Sequence, residues 1–69
     1  MKYQIIGNGA PYGDNEVVCS VNSIKAAEKV AKKELYTGQF FELKDCKTGK
    51  VIVEWACDIK GKVYRRTIN

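Results

Sequence analysis

The 69-residue sequence predicts an α+β domain: an antiparallel five-stranded sheet with one helix packed on one face, in the order β-β-α-β-β-β. Three observations predict it. Apolar residues alternate with period two in five separate runs, they recur at helical spacing in one stretch only, and Gly, Pro, Asn and Asp gather between the runs. A chain this short buries only about 60% of the surface its unfolded form exposes, so residues 1–69 read as a single domain with a single core.

The first run, Lys2 to Gly7, sets Tyr3 and Ile5 on one side and Gln4 and Ile6 on the other, as a strand does. Residues 8–15 then crowd turn formers together (Asn8, Gly9, Pro11, Gly13, Asp14, Asn15) and form a loop. Glu16 to Val21 resumes the alternation, with Val17, Cys19 and Val21 against Glu16, Val18 and Ser20, and pairs antiparallel with the first strand. Asn22 and Ser23 are both suited to cap a helix running from Ile24 to Leu35. Its Ile24, Ala27, Val30, Ala31 and Leu35 share one arc at 100° per residue, while Lys25, Glu28, Lys29 and Lys32 fall opposite and Lys33 lies at the border. Gly38 is placed to terminate it.

Period two returns with Phe41 and Leu43 on one side of a third strand, followed by a turn over residues 45–50. A fourth strand carries Val51, Val53, Trp55 and Cys57 on one side, with the sole tryptophan assigned to the core. A second turn, Ile59 to Lys62, leads into the fifth strand, Val63 to Ile68. Short connections make the last three strands a meander, and one helix leaves the other sheet face at least partly exposed.

Hydrophobic residues make up 45% of the chain and charged residues 29%, which is too apolar for a disordered segment. No apolar run approaches the roughly 20 residues of a membrane span, and the start of the chain lacks the apolar stretch of a signal peptide, so a cytoplasmic protein with no membrane partner is expected. Twelve Lys and Arg against eight Asp and Glu give a net charge of +4, which favours an acidic partner.

Catalytic chemistry is poorly supplied. There is no histidine, and no nucleophile stands beside an obvious base, so neither an enzyme nor a cofactor is expected. Cys19, Cys46 and Cys57 contain no C-x-x-C pair, which argues against a metal site; Cys19 and Cys57 share the parity of core residues and Cys46 falls in a turn. The carboxylates Asp14 with Glu16 and Glu42 with Asp45 lie near turns and read as solvated or lysine-paired. Gly7-Asn8-Gly9 opens like a phosphate loop but lacks the third glycine and the following helix.

The basic residues are more informative. Lys25, Lys29, Lys32 and Lys33 form a stripe on the helix exterior that could follow a phosphate backbone, and Lys60, Lys62, Arg65 and Arg66 cluster around the last turn and strand. Consecutive strand residues point to opposite faces, so at least one of Arg65 and Arg66 is open to a partner. Tyr64 shares the parity of Arg66, and Tyr12 and Tyr36 are candidate rim aromatics.

The segment Ala27-Glu28-Lys29-Val30-Ala31-Lys32-Lys33-Glu34, followed by Tyr36 and Gly38, resembles the helix of the ninth anti-CRISPR family directed against type I-F systems. The Tyr3-Gln4-Ile5-Ile6 strand, the polar loop after it and the closing Gly61-Lys62 before an aromatic, basic strand are similar as well. The resemblance implies a five-stranded antiparallel sheet with one helix. It also implies a non-catalytic phage inhibitor in the bacterial host cell that binds the backbone subunits of the type I-F CRISPR surveillance complex, a protein assembly with guide RNA, and occludes target DNA, with nonspecific attachment to double-stranded DNA as a further property. Lys29 and Lys33 match basic positions of that helix. Glu28 departs from the pattern, which has a second basic residue there. The partner-binding residues expected from both readings are Lys25, Lys29, Lys32, Lys33, Tyr36, Tyr64, Arg65 and Arg66. A small basic module contacting phosphates nonspecifically is the alternative.

Overall fold

The computed structural model describes residues 1–68. Its elements are β1 (Tyr3–Asn8), β2 (Glu16–Val21), α1 (Ile24–Glu34), β3 (Phe40–Asp45), β4 (Val51–Cys57) and β5 (Val63–Thr67), the order read from the sequence. All neighbouring strands are antiparallel, and across the sheet they run β2-β1-β3-β4-β5, so that β3 is central and β2 and β5 are the edges.

Cross-strand partners share a face, which sorts the side chains. Cys19, Ile5, Leu43, Val53 and Thr67 form one continuous row, and Phe41, Trp55 and Arg65 form the next. The helix lies over these rows. Ala27, Ala31 and Leu35 join Ile5, Val21, Phe41, Leu43, Val53 and Trp55 in one buried cluster. Trp55 is therefore core, as the alternation predicts, although its indole N–H is buried without a hydrogen-bond partner.

Two irregularities shift side chains from the faces that simple alternation gives them. Between Ile5 and Ile6 the register with β2 slips by one residue, so Cys19 pairs with Ile5 but Val17 pairs with Ile6. Val17 is thereby left exposed on the open face and Val18 packs against the core, the reverse of the parity expected for both. A second slip, between Leu43 and Lys44, pairs Lys44 with Val51. Ile52 rather than Val51 then packs against the core. Each slip is a β-bulge, which inserts one residue and inverts the parity beyond it.

The helix starts where the sequence places it. The Ser23 hydroxyl accepts from the Ala26 amide at 3.0 Å, satisfying one of the free donors of the first turn. The helix ends one residue before the predicted Leu35, whose extended backbone stops it while its amide still donates to the Ala31 carbonyl. Gln39 then ties this end to the 9–13 loop: its side-chain carbonyl accepts from the Tyr36 amide and its Nε2 donates to the Ala10 carbonyl, each at 2.8 Å.

The glycines of Gly7-Asn8-Gly9 have structural uses. A methyl group on Gly7 would meet Val18 Cγ2 at 2.8 Å and Tyr12 Cγ at 2.9 Å, so its bare backbone is what lets Tyr12 settle edge-on against Phe41, ring centroids 5.5 Å apart. Gly9 has φ +90°, and a Cβ there would stand 2.5 Å from the Gly38 carbonyl oxygen. Between them, Asn8 accepts the Asn15 amide at 2.8 Å and closes the loop.

Candidate functional site

Lys25, Lys29, Lys32 and Lys33 are all exposed on the outside of α1. Lys25, Lys29 and Lys32 fall within roughly 60° of one another at helical spacing, with Lys33 to one side and Glu28 to the other. Lysines 32 and 33 occupy the last turn, where positive charge complements the helix dipole. The described residues make two ion pairs, and neither uses a lysine.

Both ion pairs belong to the arginines of β5. Arg65, on the helix side of the sheet, approaches Glu28 at 3.7 Å, and Arg66, on the open side, approaches Glu54 at 3.2 Å. Glu28 thus faces the sheet edge rather than solvent alone, and it joins the lysine stripe to β5. Both guanidinium groups remain accessible, with side chains 43% and 72% exposed. Exposed pairs of this kind contribute only about 0–1 kcal/mol.

Tyr64 lies on the open face with Arg66, paired across the ladder with Ala56, which in turn pairs with Phe40. Its ring is covered by the Lys62 ammonium at 5.2 Å rather than by a guanidinium. Tyr36 is 70% exposed, just past the helix C-terminus. The eight expected residues therefore occupy two surfaces. The four lysines and Arg65 share the helix side, Tyr36 stands at its end, and Tyr64 and Arg66 are on the opposite face.

The turn before β5 is built around Asp58. Its carboxylate accepts the Lys60 amide at 2.9 Å and the Lys62 amide at 2.8 Å, and its backbone carbonyl accepts the Thr37 hydroxyl at 2.8 Å. The Lys62 amide, ahead of the other donors, holds the Asp58 carboxyl below its ordinary value, and hydrogen bonding to that carboxylate raises the Tyr64 phenol. Lys60 and Lys62 are in this way projected outward beside β5.

Cys19 and Cys57 are half-buried against the core and Cys46 is exposed; all three are free thiols. Burial, with Glu34 nearby, raises the Cys19 thiol, which opposes thiolate reactivity. Among the described residues no group of three or more Cys, Asp or Glu could hold a metal ion, and no helix is long and apolar enough to cross a membrane. Glu42 and Asp45 do not act together: Asn8 Nδ2 donates to Glu42 at 3.4 Å, and Asp45 caps the β3–β4 turn through the Lys47 amide.

The Glu28–Arg65 link and the role of Asp58 were not evident from the sequence. The available signal was Glu28 at the edge of the lysine arc, together with an Asp four residues before a Lys in a Gly-containing turn. Comparison with protein-family models, curated proteins and solved structures finds no match to this chain.

Proposed function

We propose that this chain is a non-catalytic inhibitor of a type I-F CRISPR surveillance complex, binding its backbone subunits and blocking target DNA hybridisation by occlusion. The observation that carries the reading is the stripe of exposed lysines, none of them in an ion pair, on a helix whose opposite face is committed to the core. A fixed array of ammonium groups suits acidic groups on a partner surface, and the body of the domain held there blocks the neighbouring nucleic-acid path sterically. The likeness of Ala27–Glu34 to the anti-CRISPR helix supplies the identity of the complex, and with it a place of action in the cytoplasm of a bacterial host.

Lys29→Glu should lower affinity for the purified complex at least tenfold without shifting the melting transition, and should restore target DNA binding by the complex. Equal inhibition by variant and parent removes the helix from the interface. The second reading, a module that contacts double-stranded DNA nonspecifically, is favoured by Arg65, which adds a guanidinium on the same side as the stripe.

A further inference from the structure

We infer that the outer edge of β5 is a docking site for an extended, acidic segment of a partner protein, which adds to the sheet as a further antiparallel strand with two consecutive carboxylates against Arg66 and Arg65.

The hydrogen-bonding direction of β5 follows from one bond. The Ile68 amide donates to the Ile52 carbonyl at 2.9 Å. Because antiparallel residues alternate between those that exchange bonds with their partner and those that do not, Arg66 and Tyr64 also face β4. Val63, Arg65 and Thr67 therefore turn their N–H and C=O groups outward, away from β4. β5 is the last strand of the sheet, and its pairing with β4 has no bulge. It is a ready template for another strand.

Charge selects the occupant. Residues 58–68 hold Lys60, Lys62, Arg65 and Arg66 against Asp58 alone. A second copy pairing β5 on β5 would bring the arginines of two chains together, and like charges directly opposite destabilise a ladder. The β2 edge carries the acidic Glu16, with Asp14 in the loop before it, but the register slip between Ile5 and Ile6 breaks its regularity. An acidic segment from another protein meets neither obstacle.

The consecutive arginines set the pattern of that segment. Arg65 projects on the helix side and Arg66 on the open side, so an added strand opposes both only with adjacent carboxylates, one on each face. Each guanidinium has five N–H donors, and one carboxylate takes at most two, so Glu28 and Glu54 leave donors free. This docking edge does not rest on the proposed inhibition: it engages protein backbone, whereas the lysine stripe engages a polyanionic surface.

The test uses the isolated protein with a synthetic octapeptide of Thr and Val around a central Glu-Asp pair. Matched peptides carry a central Lys-Lys pair, or N-methyl groups on the amides that would face β5. The acidic peptide should slow hydrogen exchange of the Arg65 and Thr67 amides at least tenfold, and both matched peptides should bind at least tenfold more weakly. In the protein, Arg65→Glu combined with Arg66→Glu should reverse the preference toward the Lys-Lys peptide. Protection falling on β2 or α1, equal binding of the N-methylated peptide, or protection of Arg65 and Thr67 that grows with protein concentration in the absence of peptide would each overturn the assignment. Failure to inhibit a surveillance complex would leave the peptide result standing, and the converse holds too.

Discussion

Single residues in this chain act through space they leave empty as well as through contacts they make. Gly7→Ala pushes a methyl into Val18 and Tyr12, and should destabilise the fold by about 1–3 kcal/mol in chemical denaturation, as overpacking does elsewhere. The glycine was legible as a turn signal but its purpose was not, because Val18 and Tyr12 approach it only after a bulge and a loop have formed. Asp58 is a second case. Its folded carboxyl titrates below the ordinary 3.8, so the stabilisation it gives the β4–β5 turn is present above that value and is lost as pH falls through the lower folded one. Amide shifts of Lys60 and Lys62 followed by NMR should report this acid transition, and Asp58→Asn should abolish it. Trp55 and the apolar residues of β3 were readable directly, since strict alternation around them matches burial.

At the scale of elements, the sequence marks where structure starts more clearly than how it pairs. Ser23 before an Ala-rich, Lys-rich run announces α1, and the hydroxyl-to-Ala26 bond confirms the physical reason. Ser23→Ala should cost about 1 kcal/mol, measurable as a lowered denaturation midpoint with an unchanged slope. Strand existence was equally clear, and bounds moved by one residue: β1 runs to Asn8 because the Asn8 side chain closes the following loop, and α1 stops at Glu34 because Leu35 turns extended. The two bulges were illegible. A bulge has no composition of its own at Val17-Val18 or Val51-Ile52, where either neighbour is apolar enough for the core, and only the partner strand decides which is buried.

For the whole molecule, the strand order β2-β1-β3-β4-β5 could be read only in part. The meander follows from short turns, whereas the pairing of β1 with β3 is made across the helical connection and leaves no local trace. The same gap explains the site: the lysine stripe was visible in helical spacing and the opposition of Arg65 to Arg66 and Tyr64 in strand parity, but that Arg65 is the one sharing the helix side with the lysines needed the fold. Net charge of +4 makes salt the natural discriminator between modes of binding. Attachment to DNA through several phosphates should weaken by orders of magnitude between about 50 and 200 mM salt, whereas binding to subunits of a surveillance complex should fall much less, as titration of each partner over that range will measure. The helix packs on β2 and β3, and every β5 side chain from Tyr64 to Thr67 is exposed. β5 is therefore held by its ladder to β4 and by Val63 against the core, fewer apolar contacts than its neighbours have, and it can open while they stay zipped. A ligand that grips it must first still it, so tight binding there would be bought with lost motion and would read out as stiffening of the chain's end.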